Sequence, residues 1–326
     1  MFTSGQRRLA LSHIVSGLAL AALHGSARAA DYPGKPIRLL CHVPPGGAPD
    51  IAARSLAIEL APILGQQVIV ENHPGANGNI AGDIVSKAVA DGYTLLLGTD
   101  STFVINPHVY SKMPFDPLKD LLPIASIASN DFVLTVNPKL PVKNFAQFIE
   151  LAKKSDPPLF YASAGNGSQH HLTMEMLRQA ADINLKHVPY RGGSPAATAT
   201  MAGEVAAMFA GSSNAGQIKS GALRALATTG ATRSISDIPT IAETFPGFHN
   251  TIWLGVFAPK NTPPEIVARL RIEIGKALQG KNLKERFANA GGMEPLIISP
   301  SEFSERIRTD YAKFGKIVHH IGLRLD

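Results

Sequence analysis

The stretch IRLLCHVPPGGAPD, residues 37–50, and the stretch LFYASAGNGSQHHL, residues 159–172, follow one plan. Each begins with an apolar, strand-like run, passes through glycines, and opens a helical pattern behind a capping side chain, Asp50 or Ser168. In an open α/β sheet such turns lie at the carboxyl ends of the strands, where ligands bind. A helix start offers N–H groups without intrahelical partners and about half a positive charge, so the guest it suits is an anion. One such loop is ordinary in any α/β protein. Two in one chain raise the question of whether they act together.

Outward from these stretches, apolar runs rich in β-branched residues alternate with segments of 3.6-residue period. Strands are expected at 37–43, 67–71, 94–98, 132–137, 159–162, 185–189, 205–210, 223–229 and 252–258. A helix from Asp50 carries Ala52, Leu56 and Leu60 on one face, with Pro62 expected to end or kink it. Asn144 caps a helix with a stripe of Phe145, Phe148, Ile149 and Ala152. Pro263 and Pro264 suit the first turn of a helix bearing Ile266, Val267, Leu270 and Ile274. Ser299-Pro-Ser-Glu302 fits a capping box ahead of Phe303, Ile307, Tyr311, Phe314 and Val318, a stripe read as core packing. The pattern is α/β, with mostly parallel sheets flanked by helices.

A chain of 326 residues exceeds one small core, so two domains are expected. Composition shifts at Ala128-Ser-Asn-Asp131 and Phe245-Pro-Gly-Phe-His-Asn250 give a discontinuous first domain, 30–130 plus 251–326, and a second, 131–250. Two short crossings of this kind suit a hinged cleft.

Residues 1–29 stand apart. Arg7 and Arg8 precede the Leu/Ala-rich run 9–23, and Ala27-Arg-Ala29 supplies a small-x-small motif, so a secretory signal peptide cleaved before Ala30 is expected. The Arg pair matches the longer twin-arginine pattern poorly, which favours the general secretory route. Without the leader, 28 basic residues face 25 acidic ones, and no Lys/Arg stripe interleaves with aromatics, so nucleic acid is not an expected partner. Cys41 is the one cysteine of the chain; it rules out an intramolecular disulfide or a cysteine-based zinc cage and reads as a buried core thiol.

Specific chemistries find little support. The phosphate-loop, dinucleotide and nucleophile-elbow patterns are absent in full; Gly211-Ser-Ser-Asn214 comes nearest to the elbow, but Ala215 replaces its second glycine. The adjacent pairs His170-His171 and His319-His320 point about 100° apart on a helix and cannot chelate one ion as an i, i+4 pair does. Tyr190 reads equally as a ligand hydroxyl or a packing group, Arg191 as a solvated surface charge, and Trp253 as core or hinge packing. A secreted serine hydrolase using Ser168 or Ser212 with His171 is the alternative reading.

The residues resemble a family. Tyr32-Pro-Gly-Lys-Pro-Ile37, Pro45-Gly-Gly-Ala-Pro-Asp50 with Ala53-Arg54, Val70-Glu-Asn-His-Pro-Gly-Ala-Asn-Gly-Asn79, Asp91-Gly-Tyr-Thr-Leu-Leu96 and Ile105-Asn-Pro107 match in order. So do Tyr161-Ala-Ser-Ala-Gly-Asn-Gly-Ser168 with His171-Leu172, Val188-Pro-Tyr-Arg-Gly192, Leu223-Arg-Ala-Leu-Ala227 and Trp253-Leu-Gly-Val-Phe-Ala-Pro259. Over nearly its full length after the leader, the chain resembles the substrate-binding proteins of tripartite tricarboxylate transporters, the Bug receptors of Gram-negative bacteria. The resemblance implies a periplasmic, monomeric, two-domain clamshell of the periplasmic-binding-protein type, with a small organic carboxylate in its cleft. Membrane subunits of a transporter, or a sensor protein, would be the partners; no cofactor, metal or catalytic residue is implied. Its anion grip falls on Gly46, Gly47, Ala48 and Asp50 and on Gly165, Asn166, Gly167 and Ser168, with Thr99, Asp100, Ser101, Gly211 and Ser212 in further strand-end loops and His171 and Tyr190 beside them. Two residues depart from the family's pattern: Pro49, which removes one N–H from the first loop, and His170, whose imidazole would flank the pocket and favour a second carboxylate or a polar ring substituent.

Overall fold

The computed structural model describes residues 32–289 and 293–325, apart from the side chain of Ser212. The expected signal peptide, 1–29, and its cleavage before Ala30 lie outside the described residues. Residues Lys35–Asp326 form one compact unit, and the following concerns that unit.

Strand β1 (Ile37–Cys41) lies between β2 (Val68–Asn72) and β3 (Thr94–Thr99) and runs parallel to both, with Leu39 opposite Val70 and Leu95. All of β1 but Arg38 is buried, which is why it reads as a continuous apolar run. Arg38 instead pairs with Glu71 at 2.7 Å. The sheet continues through β10 (Thr251–Pro259), β4 (Leu121–Asp131) and β11 (Glu294–Pro295), each antiparallel to its neighbour. A second sheet has the order β7 (Leu185–Pro189), β6 (Leu159–Ser163), β8 (Ala207–Ala210), β5 (Val133–Val136) and β9 (Arg224–Thr228). Its β6, β7 and β8 are parallel, and β5 is antiparallel to β8 and β9. Most described strands of each sheet therefore point one way, with β10, β11 and β5 reversed.

The reversal follows from the crossings. The chain leaves the first sheet at Asp131 and enters the second at Val133, with the buried Phe132 between; the Phe132 N–H donates to Thr229 Oγ1 at 2.9 Å. It returns where the Asn250 N–H donates to the Thr229 carbonyl at 3.0 Å, just before β10. Strand β4 is absent from the sequence expectations, because Pro123 and the small residues of LLPIASIASND mask it. Its partner on one side, β11, is two residues long and pairs only with Ala128 and Ser129, so Pro123 lies where no ladder bond is required of it.

Of the two effects expected of Pro62, it does not end helix α1 (Ala48–Leu64), which runs on to stop at Gly65, whose φ of 67° gives the left-handed cap. Pro62 removes only the bond to the carbonyl of Ile58, a residue exposed to water that can satisfy it. Helices α2 (Asn79–Ser86), α3 (Asn106–Val109), α4 (Phe145–Lys154), α5 (Gln169–Ala181), α6 (Gly193–Ala202), α7 (Ala215–Lys219), α8 (Pro264–Gln279), α9 (Lys281–Asn289) and α10 (Pro300–Ile321) complete the unit. The Asn144 cap and the reciprocal Ser299/Glu302 capping box both form.

One core gathers around Phe148, Tyr161 and Phe209 beneath the second sheet. Another joins Trp253, Phe257, Phe303 and Phe314 against the first, and a third gathers Ala162, Ala196, Met208 and Leu223. Met176 of α5 packs on the first two of these, and Leu172 of the same helix belongs to the first sheet's core, so α5 is anchored to both halves. Phe303 meets Trp253 edge-on at 5.2 Å and faces Gly255, where an added Cβ would come 2.6 Å from its ring. Phe303→Ala is expected to lower the unfolding free energy by about 3–5 kcal/mol, measured by urea denaturation; a loss under about 1 kcal/mol would contradict this packing.

Candidate functional site

The loops after β1, β2 and β3 in the first sheet, and after β6, β7 and β8 in the second, all lie at carboxyl ends of strands that run the same way. In the first loop Gly46 takes a φ of 84° and its N–H donates to Asp50 Oδ2 at 2.9 Å. Asn72 Nδ2 donates to Asp50 Oδ1 at 2.8 Å and to the Val43 carbonyl at 2.9 Å, and Arg54 binds both Asp50 and Asn72. Burial pushes the Asp50 carboxyl up, but these hydrogen bonds outweigh it and hold the pKa below the ordinary range. Asp50 thus clasps the loop. The Gly47 N–H turns back to the Pro44 carbonyl, and the first intrahelical bond joins the Ile51 N–H to the Gly47 carbonyl. With proline at 49, the N–H groups of Ala48 and Asp50 are left outside the helical ladder.

The second loop is knotted in the same manner. Gly165, at φ 127°, donates its N–H to Ser163 Oγ at 3.0 Å, while its carbonyl accepts from the Ser168 N–H and hydroxyl. Ser168 caps α5 as expected, accepting the His171 N–H. Gly167, at φ 71°, donates its N–H to His171 Nδ1 at 3.2 Å. The His171 ring stacks on His187 at 3.9 Å, whose Nε2 lies 2.6 Å from Ser163 Oγ, and Tyr161 continues the stack. His171 therefore positions the loop through Gly167. The N–H groups of Gln169 and His170 precede the first helical bond, that of Leu172 to Ser168. The glycine N–H groups that the sequence singles out are largely committed inside their own loops, and the donors outside the ladder fall one to three residues later. Asn166 is exposed in this loop.

A third segment was missing from the expected site. Gly75, Ala76, Asn77 and Gly78 all have positive φ, 132°, 45°, 52° and 100°, an unfavourable run for the two non-glycine residues. Asn77 Nδ2 donates to the Gly167 carbonyl at 3.2 Å and to Asn106 Oδ1 at 2.7 Å, and Asn106 Nδ2 donates to Asn79 Oδ1 and the Asn77 carbonyl. This asparagine knot ties the second loop to the half of the unit that holds the first. Its sequence signal was the Pro-Gly and Asn-Gly punctuation of Pro74-Gly-Ala-Asn-Gly78.

Other candidates divide. Thr99 and Ser101 are buried at the β3 end, and Thr99 Oγ1 has no partner. Asp100 faces the interior, accepting the N–H groups of Ser101 and Trp253; burial and the neighbouring Asp310 push its pKa up to about 8. Trp253 is fully buried, its indole N–H donating to Asp310 at 2.9 Å. Tyr190 sends its hydroxyl toward Glu204 at 3.5 Å and its N–H to the Ser163 carbonyl. Gly211 lies beside Phe132 and His170, the side chain of Ser212 is outside the described residues, and Arg191 is exposed. Cys41 is buried, and burial pushes its thiol up to about 12.

Residues 52–323 match the family described as tripartite tricarboxylate transporter family receptor. The chain belongs to that family. It is 36% identical over 315 residues to the protein BugT of Bordetella pertussis, covering 94% of this chain and 96% of that one. Among solved structures it is similar to R. palustris Rpa4515 with adipate, at TM-score 0.84 and 31% identity over 90% of this chain and 99% of the other. The periplasmic binding protein BugD superposes at TM-score 0.80 with 29% identity over 90% and 99%. The two-sheet architecture of this receptor is thus the two-domain fold of periplasmic binding proteins, and the chain is a member of the Bug group.

The ring stack sets a pH dependence. Burial lowers the pKa of His171 and brings His187, with help from the His171 and Arg178 charges, down to about 3. A histidine with a lowered folded pKa contributes stability above the unfolded value of about 6.5, lost as the pH falls through that value toward the folded one. Imidazole NMR titration is expected to find the His187 ring neutral at pH 5.5 and His171 titrating below an ordinary histidine, and thermal stability to decline from pH 7 to 5. A His187 ring already protonated at pH 5.5 would contradict the stack.

Proposed function

We propose that this receptor is a periplasmic solute-binding protein that holds a small organic carboxylate between its two domains and presents it to the membrane subunits of a tripartite transporter. The domains are 30–130 plus 251–326 and 131–250, and residues 1–29 are the export leader, removed before Ala30. Among the described residues no helix is long and apolar enough to cross a membrane.

The observation that carries this reading is a pair of helix starts. Helix α1, of 17 residues, and α5, of 13, begin at the carboxyl ends of parallel strands on different sheets. Each leaves two N–H groups outside its ladder, and each has its loop locked by a side chain, Asp50 or His171. Locked donors of this kind bind an anion without a buried cation and with little reorganisation. The adipate held by the R. palustris relative is an acid of the same class. The membrane partner follows from the family description.

A chemical step finds less support. Ser168 Oγ is engaged by Gly165 and His171 backbone groups, and the His171 ring faces Gly167 and Glu175, which leaves the serine without a base. Ser163 has a histidine partner in His187 but is fully buried.

Ala48→Pro tests the cradle cleanly. Proline suits the first helical position, and Gly47 already has the extended conformation that a following proline requires, so the change removes only the Ala48 N–H. Isothermal calorimetry against a panel of small carboxylates is expected to show micromolar or tighter binding to the wild type. The variant should weaken it by about 10–100-fold, the loss of one charge-assisted hydrogen bond, with little change in thermal stability. Unchanged affinity would remove the first loop from the site; binding of sugars or amines and of no acid would overturn the function.

A further inference from the structure

Among the described residues His170 is a polar side chain beside the second loop whose ring nitrogens have no hydrogen bond to the protein. It occupies the second position of α5, directly after the loop. Its ring lies against Phe132, centroids 4.6 Å apart at 54°, where the chain crosses between sheets. Its Nε2 points toward two glycines at neighbouring strand ends: a Cβ added at Gly193 would lie 3.5 Å from it, and one at Gly211, 3.9 Å. Any larger residue at either position would fill the space beside the nitrogen. Among the described residues the imidazole accepts and donates no hydrogen bond, whereas His171 and His187 are both engaged.

The charges around it are as informative. Among the described residues no Lys or Arg hydrogen-bonds or ion-pairs to the Gly165–Ser168, Gly193 or Gly211 segments, and Arg54, the basic residue at the first loop, is held by Asp50 and Asn72. Burial brings His170 down to about 4, so the ring is neutral at pH 7. A ligand group seated here meets an aromatic face, two bare backbones and one uncharged nitrogen. A carboxylate desolvated in such surroundings loses more hydration than one neutral hydrogen bond restores. A hydroxyl, carbonyl or amide costs far less to bury and is satisfied by one partner.

We infer that His170 determines specificity, selecting acids whose far end carries an uncharged hydrogen-bonding group over acids with a second carboxylate. This rests on the carboxylate-receptor reading above and narrows it, and it sets this chain apart from the relative that holds adipate, a dicarboxylate.

The test is calorimetry at pH 7.5 with matched pairs: 6-hydroxyhexanoate against adipate, and 4-hydroxybenzoate against terephthalate, with hexanoate and benzoate as references. The wild type is expected to bind the hydroxy acid of at least one pair ten-fold or more tighter than its diacid. His170→Phe should abolish that preference, while His170→Gln, which keeps a neutral donor and acceptor, should retain it. His170→Arg should turn the preference toward the diacids. A wild type that prefers diacids in both pairs, or an unchanged ratio in His170→Phe, overturns the inference and leaves the receptor reading standing. Failure of every acid to bind overturns both. Thermal melts of the three variants establish that they are folded before affinities are compared.

Discussion

The antiparallel pairing of β4 with β10 governs the geometry of this receptor. It runs from Thr251 opposite Asp131 to Pro259 opposite Leu121, so the strand by which the chain leaves the first sheet lies beside the strand by which it returns. Both crossings then fall at one end of the pair, around Phe132, Thr229 and Asn250. Lys313 of α10 donates to the His249 carbonyl and to Asn250 Oδ1, and Asn250 donates in turn to Gln169 and Thr173 of α5. The start of α5, and with it the second loop, is held against the crossing by this chain of hydrogen bonds.

With the loops placed, their rigidity is a local matter. Asp50 binds the first loop, His171 and Ser168 the second, and Asn77 with Asn106 the third. In the first two, side-chain groups satisfy backbone N–H groups that a short glycine turn leaves open; in the third, the asparagine amides satisfy the Asn77 and Gly167 carbonyls. The consequence is a cradle whose own donors are mostly closed and whose remaining donors, at the helix starts, cannot turn away from the site. In the proposed reading, a site of this kind would recognise a carboxylate by position and leave discrimination among acids to the side chains around it, His170 and Phe132 among them.

Much of this was legible before the structure. Strand β7 falls where periodicity puts it, 185–189, and the caps at Asn144, Ser168 and Ser299 follow from residue type at a fixed offset. The stripe of α10 is buried at Phe303, Ile307, Phe314 and Val318 because a helical period needs no long-range information. What escaped was non-local. Strand β4 is defined by its partner rather than by its composition, and the Gly75–Gly78 turn matters because Asn77 meets Gly167, ninety residues away in the chain.

By itself the sequence determined the class of the fold, the two glycine loops, the Ser168 cap and the buried thiol at Cys41, since each depends on residues within a few positions of one another; the first helix instead starts at Ala48 behind Gly47, and Asp50, expected to cap it, lies inside its first turn. Only the tertiary structure decided which groups in those loops remain open. Asp50 and His171 read as ligand contacts in a linear chain, yet each sits opposite a backbone N–H of its own loop, while His170 lies beside two glycines that follow other strands, Gly193 and Gly211. A hydrogen-bonding group is available to a ligand only when no protein group reaches it first, and that depends on distances that sequence separation does not record.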